Sequence, residues 1–304
     1  MTNATLHIGC IPEIIERRIE GWWLMAITVV GVVVVAVSSV GNAIIIAAFA
    51  TTRMLHKPCN VFLANLAAGD FFYCIVGFPV NILPDYVPEL HCSRFAYVRY
   101  FVIFLCLMLS GANIMILALE RLYGVERPFH YRSHMTVRGS VKIVIMTWVI
   151  LAMNAAIFSA FYTSQSFVFK WIASGMILVF HVCTFVIYGR VFYVTRTHIK
   201  KDKTYRIRTR HTKSQAAAIV TLVNGFTAAM SVTIATSLTI PYGNGPWKRT
   251  LFFLVLAGSS FNLLIYTFRM ADFRKAVFRM LRIKPIAEKM EMFVIEVTGE
   301  QTAV

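Results

Sequence analysis

Charged residues, and acidic residues above all, are scarce in this chain. Only 14 Asp and Glu occur among 304 residues, and charged residues of both signs make up 14%. A soluble domain of this length carries nearer a quarter. The shortage therefore excludes an ordinary water-soluble globular protein. The 58% hydrophobic content and the positive mean hydropathy favour a protein that folds in a lipid bilayer.

The chain also lacks the sequence signatures of enzymes. It contains no metal-ligand spacing, no Gly-rich phosphate loop and no convincing nucleophile–base set. We therefore expect no enzymatic activity and no cofactor, apart from the sodium ion considered below. Internal repeats of the kind that many transporters carry are absent as well, which argues against a seven-span transporter or channel.

Long apolar runs dominate what is present. Six charge-free runs, and a seventh interrupted only by Asp70, approach or exceed the roughly 20 residues that cross the hydrocarbon core. They cover 21–52, 58–84, 100–119, 143–169, 171–189, 214–247 and 250–268. Only helices or closed barrels span lipid, and these runs lack strand alternation. The sequence predicts an all-α membrane protein, with a seven-transmembrane helix bundle at 22–270.

The loops between these runs differ in their basic content. The first, third and fifth loops hold sixteen Lys and Arg, whereas the second, fourth and sixth hold five. Short basic loops stay in the cytoplasm. This asymmetry predicts a multi-pass protein of the plasma membrane with residues 1–21 extracellular and the C-terminus cytoplasmic. It also explains the net charge of +16 without a nucleic-acid partner.

The segment after the seventh run has the pattern of a short surface helix. Phe273 and Val277 recur at helical spacing while basic residues face elsewhere. The sequence predicts a basic amphipathic eighth helix at 271–284 in the inner membrane interface, followed by a cytoplasmic tail at 285–304. The last residues, Thr302 to Val304, are typical of peptides captured by PDZ domains, although a three-residue match also arises by chance.

Three residues on the predicted outer side suggest covalent modification. Asn3 begins a glycosylation sequon, which makes the chain a candidate glycoprotein. Cys10 and Cys92 are the two cysteines placed in the oxidising compartment, so they are candidates for one disulfide. Their spacing does not fix the distance between them, and two free thiols are the alternative.

Several short motifs then appear on successive runs. They are Gly41-Asn42, Asn60 to Asp70, the stretch ERLYGVERPFHY from Glu120 to Tyr131, Trp148, Tyr188, Phe226, and Asn262 to Phe273. In this order they resemble the rhodopsin-like (class A) G-protein-coupled receptors over about residues 22–284. The resemblance implies a receptor that transduces binding of an extracellular ligand, whose identity the sequence does not give, to a heterotrimeric G protein.

The resemblance implies a switch at the inner end of the third run. Arg121 would be paired with Glu120 at rest and released on activation to meet the G protein. Tyr188, Lys213 and Tyr266 would line the same inner cavity. The alternative interpretation of Arg121 is a basic side chain that merely reaches water at the interface.

The resemblance also implies a buried polar pocket. Asp70 would hold a sodium ion and water together with Ser110, Ser259 and Asn262. A charge in mid-membrane costs about 2.5–3.5 kcal/mol on insertion scales, so a partner is expected. The alternative is a protonated structural carboxyl group. The lone asparagines Asn42, Asn113, Asn154 and Asn224 are expected to bond between helices, and Trp148 to pack.

A ligand pocket is expected in the outer thirds of the bundle. Its candidate residues are Arg99, Ile103, His181, Ser237 and Phe252, although His181 is also typical of a core histidine. Ile103 stands where the family pairs amine ligands with an aspartate, which argues against an aminergic ligand. Leu256 stands at the lysine position of the opsins, which argues against a retinal protein.

Several family features are missing. Phe180, Val232 and Leu263 replace prolines that kink the fifth, sixth and seventh helices, and Met230 replaces the sixth-helix tryptophan. Ala96 replaces the cysteine of the usual outer disulfide. The short second outer loop and these losses are loosely similar to the melanocortin and cannabinoid branch. They also leave a second hypothesis open, a receptor-like membrane scaffold or decoy that does not signal.

Overall fold

The computed structural model describes residues 21–87, 89–90, 94–163, 175, 179, 182–191, 193–194, 197 and 271–280. Within these residues the regular structure is helical. The helices are α1 (Gly21–Thr51), α2 (Pro58–Phe72), α3 (Phe78–Tyr86), α4 (Phe95–Glu126), α5 (Pro128–His134), α6 (Val137–Thr163), α7 (Val182–Val191) and α8 (Ala271–Met280). A 3₁₀ turn at Arg53–Leu55 follows α1, and a π-helical turn at Tyr73–Gly77 joins α2 to α3.

The described residues contain four helices long and apolar enough to cross a membrane. These first to fourth spans are Leu24–Thr51, Pro58–Tyr86, Phe95–Gly124 and Val137–Ala160. They overlap the first four predicted runs, although the ends of the third and fourth spans differ from the predicted ends by five to nine residues. The apolar helix α7 begins in the fifth predicted run and extends two residues beyond it, and the sixth and seventh runs fall outside the described residues.

The second span changes helical geometry in its outer half. Pro79 lies at the start of α3, where a proline lacks the N–H of the regular ladder and crowds the preceding turn. The π-helical turn before it absorbs this conflict by adding one residue to the turn. A Cβ on Gly77 would lie 2.5 Å from a ring carbon of Tyr73. A larger residue at position 77 would therefore require the ring of Tyr73 to shift.

The spans differ in how much surface they expose. The second and third spans lie in the interior, where Phe62 and Leu109 are almost fully buried. The first and fourth spans carry rows of exposed apolar side chains, including Val33 and Val37 on α1 and Met146 on α6. Apolar surface of this extent is typical of a lipid-facing side.

An asparagine pair and a tryptophan join the second, third and fourth spans. The indole N–H of Trp148 donates to Oδ1 of Asn65 at 2.8 Å, and Nδ2 of Asn65 donates to Oδ1 of Asn113 at 2.5 Å. The expected bonding of Asn113 between helices is therefore observed. Asn42 and Asn154 differ from expectation, because each donates to a carbonyl four residues earlier in its own helix.

The short helix α8 packs against the inner end of the bundle. Phe273 and Ala276 are buried in one cluster with Ile45 and Leu55, whereas Lys275 and Arg279 are exposed. An amphipathic helix is thus present at 271–280. Residues 281–284 of the predicted eighth helix lie outside the described residues, as does the tail with its C-terminal Thr302 to Val304.

Candidate functional site

Glu120 is the buried acid near the C-terminal end of the third span, which is the inner end in the predicted orientation. Its side chain is only 4% exposed, although the residue lies less than two turns before the end of α4. The hydroxyl of Tyr131 donates to Oε1 at 2.5 Å, and Nε of Arg121 lies 3.6 Å from Oε2. Oε1 is therefore hydrogen-bonded, whereas Oε2 has only the longer ion-pair contact with Arg121 and no hydrogen-bond partner among the described residues.

Helical geometry separates the roles of Glu120 and Arg121. Adjacent residues point about 100° apart around an α-helix. With Glu120 directed into the bundle, Arg121 points toward the outside, and 47% of its side chain is exposed. The guanidinium therefore contacts the buried acid from the inner surface of the protein.

A tight reversal brings Tyr131 back onto the third span. Arg127 ends α4 and precedes α5, and Pro128 occupies the first turn of α5, where its missing N–H costs nothing. Tyr131 then meets the ring of Tyr123 edge-on at 5.8 Å between centroids. This aromatic contact and the bond to Glu120 fix the tyrosine in place.

Tyr131 keeps its proton in this environment. Burial raises the pKa of the phenol above its ordinary value, and the hydrogen bond and charge of Glu120 raise it further. The hydroxyl therefore stays a donor across the physiological pH range.

Helix α7 contacts the third span at two levels. The hydroxyl of Tyr188 donates to the carbonyl of Ile114 at 3.4 Å, two helical turns above Arg121. Nε of Arg190 lies 2.9 Å from Oε1 of Glu126, the last residue of α4. The structure thus brings Glu120 and Arg121 together and places Tyr188 against the same span.

Helix α5 carries exposed groups that the sequence did not single out. Phe129 is 87% exposed, and the rings of His130 and His134 stack at 4.3 Å between centroids. The helix itself was not predicted, because this connection was expected to be a short loop. Pro128 at its first turn was the available signal.

These observations agree with a comparison against protein families. A model described as "7 transmembrane receptor (rhodopsin family)" matches residues 41–252, more than half of the chain.

The chain belongs to this receptor family.

Family membership confirms the all-α, seven-helix membrane fold and the rhodopsin-like resemblance. Individual relatives cover shorter stretches. The alpha-2B adrenergic receptor of Talpa europaea is 29% identical over 113 residues, 37% of this receptor and 28% of the relative. The D(1B) dopamine receptor of Mus musculus is 27% identical over 109 residues, 36% and 23% of the two chains.

A third relative, the olfactory receptor 1D2 of Homo sapiens, is 27% identical over 163 residues, 51% of this receptor and 47% of the relative. The receptor thus spans less than half of the length of each of these three relatives. The relatives are receptors rather than enzymes, which supports the expectation of a non-enzymatic protein in the membrane.

The predicted polar pocket of the receptor is described only in part. Asp70 is 3% exposed in the second span, and Ser110 of the third span is half-buried. Oδ1 of Asn42 and Nδ2 of Asn113 are buried, with no hydrogen-bond partner among the described residues. Ser259 and Asn262, the other two predicted members, lie outside the described residues.

At the outer end of the third span, Arg99 contacts an amide that sequence reasoning missed. Its Nε and Nη2 donate to Oδ1 of Asn81 at 3.4 and 3.3 Å, and its guanidinium lies 5.9 Å from the ring centroid of Tyr100. Ile103, one turn further in, is buried. Arg99 next to a charge-free run and Asn81 within another run were the available signals in the sequence.

The remaining predicted site residues lie outside the described residues. These are His181, Ser237 and Phe252 of the ligand pocket, Lys213 and Tyr266 of the switch, Cys10 and Cys92 of the disulfide, and Asn3 of the sequon. Their roles stay predictions.

Proposed function

We propose that this receptor transduces the binding of an extracellular ligand to a heterotrimeric G protein across the plasma membrane. Its N-terminus would lie outside and its C-terminus in the cytoplasm, as the basic first, third and fifth loops favour. Family membership supports the general role of a receptor. The orientation, the G protein and the ligand are the proposed part.

The arrangement around Glu120 carries this proposal. The carboxylate is buried and held by Tyr131, while Arg121 contacts it from a half-exposed position. A conformation that separates Arg121 from Glu120 presents an unpaired guanidinium at the inner surface. A ligand that binds this conformation more tightly shifts the equilibrium toward it.

The neighbouring surface suits a protein partner. Phe129 projects from α5 with 87% of its surface exposed, and Arg127 and Arg132 are exposed beside it. Aromatic and arginine side chains are enriched among the residues that dominate binding energy at protein interfaces. The released Arg121 and this surface would together receive the G protein, with Tyr188, Lys213 and Tyr266 lining the cavity.

The ligand would bind in the outer part of the bundle, near Arg99, Ile103, His181, Ser237 and Phe252. Two of the relatives are named for adrenergic and dopamine recognition. A buried isoleucine at position 103 gives no countercharge to an amine, so we propose a ligand of another class. Arg99 can donate hydrogen bonds to it after leaving Asn81.

Accessory features remain part of the proposal. Asp70 would hold a sodium ion with Ser110, Ser259 and Asn262, and a protonated structural carboxyl is the alternative.

Peptide mapping under non-reducing conditions tests a Cys10–Cys92 disulfide, and glycosidase treatment tests a glycan at Asn3. Adding one residue after Val304 should abolish capture by PDZ domains if the tail binds them.

Nucleotide exchange tests the proposed function directly. The receptor is expressed with a panel of G-protein activation sensors and screened with ligands. Arg121→Ala should abolish exchange while leaving surface expression intact. Lys142→Ala, which removes an exposed base of α6 outside both the Glu120 cluster and the surface around Phe129, is the matched control and should retain exchange. Unchanged signalling by Arg121→Ala would overturn the switch assignment.

The second candidate is a receptor-like scaffold or decoy that does not signal. Met230, Val232 and Leu263 favour it, because they replace a tryptophan and two prolines on which the family's usual activation motion depends. The same panel discriminates between the candidates. Ligand binding without exchange on any G protein supports the scaffold.

A further inference from the structure

Two histidines of α5 have the spacing of a helical metal site. His130 and His134 are four residues apart and exposed, and their rings lie 4.3 Å apart between centroids at an angle of 18°. Side chains at positions i and i+4 share one side of a helix. In helical zinc sites, two histidines at this spacing bind the ion from one face.

The hydrogen bonds of the segment select one form of His134. Its Nδ1 lies 3.2 Å from the carbonyl oxygen of His130 and 2.7 Å from Oγ of Ser133, whose hydroxyl donates to the same carbonyl at 3.1 Å. A carbonyl oxygen only accepts, so Nδ1 carries the proton and Nε2 of the neutral ring holds the lone pair. Histidines that bind metals commonly donate the other ring N–H to a backbone carbonyl in this way.

The surroundings of the pair leave room for a hydrated cation. Arg132 lies two residues from each histidine, and therefore starts about 200° around the helix from both. Among the described residues, no group of three His, Cys, Asp or Glu could hold a metal ion. Two imidazoles would therefore bind an ion whose remaining coordination positions are open to water.

We propose that His130 and His134 chelate one divalent transition-metal ion that favours imidazole ligands, such as Zn²⁺, with water in its remaining positions. Stacked rings present faces rather than lone pairs to each other. Binding therefore turns the ring of His130 out of the stack, while His134 keeps the orientation that its Nδ1 bonds give. Exposed side chains change rotamer within nanoseconds, so this rearrangement is accessible.

The expectation that the sequence contains no metal-ligand spacing overlooked this pair. Structural zinc sites combine four Cys or His ligands, and two histidines alone fall short of that pattern. The signal that was available is the His-x₃-His spacing directly after Pro128 and Phe129, at the start of a short exposed helix.

Site-resolved protection of the histidines tests the proposal on the full-length receptor in detergent micelles, without a histidine tag. Diethyl pyrocarbonate modifies accessible imidazoles, and mass spectrometry reports the modification rate of each histidine as Zn²⁺ is raised. We expect Zn²⁺ to protect His130 and His134 together, with one midpoint. The internal control is His56, an exposed histidine whose Nε2 lies 2.9 Å from the carbonyl oxygen of Phe49, and it should stay unprotected at that midpoint. Mg²⁺, which prefers oxygen ligands, should protect neither histidine of the pair.

Single substitutions decide whether both residues hold one ion. A partner that only supports a metal-bound histidine is already worth about 10- to 100-fold in affinity. His134→Gln should therefore raise the Zn²⁺ midpoint for protection of His130 by about ten-fold or more, and His130→Gln should do the same for His134. If Zn²⁺ protects the remaining histidine at its native midpoint, the two residues bind independently and the chelate is overturned. Equal protection of the pair by Mg²⁺ would overturn it as well.

A variant of matched composition separates the spacing from the mere presence of histidine. Arg132→His/His134→Arg keeps the number of histidines and the charge but places the two histidines of α5 two residues apart, on opposite sides of the helix. It should lose protection as the single substitutions do, and native protection in this variant would contradict the site. The assay contains no G protein, so the metal site and the proposed function fail separately.

Discussion

The two ends of the third span hold their charged side chains in different ways. At the inner end, Glu120 is buried and meets Tyr131 at 2.5 Å and Arg121 at 3.6 Å. At the outer end, Arg99 is half-buried and shares one amide oxygen of Asn81 at 3.3 and 3.4 Å. Bonds of that length are near the upper limit for hydrogen bonding.

This difference separates a fixed end from an adaptable one. A buried carboxylate that loses a partner pays the full cost of an unmatched charge, so the inner cluster stabilises one conformation. A half-exposed guanidinium can exchange an amide for water or for a ligand at little cost. Under the proposed function, the inner end would maintain a resting state and the outer end would respond to a ligand.

Removing the negative charge of Glu120 should have the largest effect on basal nucleotide exchange. Glu120→Gln keeps an acceptor for Tyr131 but deletes the negative charge that attracts Arg121. The substitution also weakens the charge-assisted bond from Tyr131, of a kind that contributes about 1.5–3 kcal/mol, so basal nucleotide exchange should rise roughly ten-fold. Arg99→Gln at the outer end is the matched control and should leave basal exchange unchanged. A rise in both variants would remove the distinction between the ends.

A smaller effect is expected when only the hydroxyl of the inner cluster is lost. Tyr131→Phe keeps the ring contact with Tyr123 but removes one hydrogen bond, worth about 1 kcal/mol, and should raise basal exchange roughly five-fold. Tyr123→Phe preserves that ring contact and should change nothing. Because the pKa of Tyr131 is raised, the effect of the lost bond should be the same at mildly acidic and mildly alkaline pH. Basal exchange in Tyr131→Phe that matches the native receptor would show that Arg121 alone holds Glu120.

The sequence predicts features that depend on neighbouring residues better than contacts that depend on tertiary structure. Spans follow from local hydropathy, and the predicted run 58–84 matches the span Pro58–Tyr86 to within two residues. Glu120 and Arg121 are neighbours in the sequence, so their pairing needed no tertiary information. The bond from Tyr131 requires the reversal at Pro128, which hydropathy does not encode.

Polar contacts between spans were harder to predict. Arg99 and Asn81 lie 18 residues apart on two different helices, so their contact depends on how those helices pack. Asn42 and Asn154 were expected to bond between helices. This prediction was wrong for their side-chain N–H groups, which donate to carbonyls of their own helix. A short amide side chain can reach the preceding turn without any neighbour, which a pattern of single polar residues does not reveal.

Asp70, which lies between the two ends of the bundle, allows a separate test of what sets the conformational equilibrium. Asp70 is buried about halfway along the second span, and its proposed ion would affect the conformational equilibrium without touching either end. If sodium binds there, raising sodium at constant ionic strength should lower basal exchange a few-fold, and Asp70→Asn should abolish this dependence because the countercharge is gone. Potassium is the control ion. Native exchange that is indifferent to sodium would favour the protonated structural carboxyl.

The smallest expected effect concerns a charge pair at the inner surface. Glu126 ends α4, and Arg190 of α7 meets it at 2.9 Å, but their side chains are 33% and 57% exposed. Solvent screens such pairs, which contribute about 0.2–1 kcal/mol. Glu126→Arg should therefore raise basal exchange only about two-fold, since it loosens α7 from the third span without touching Glu120. The double swap Glu126→Arg/Arg190→Glu restores opposite charges and should return exchange to the native level. If the swap fails to restore it while surface expression is normal, the pair does not link these helices, and the buried cluster alone sets the resting state.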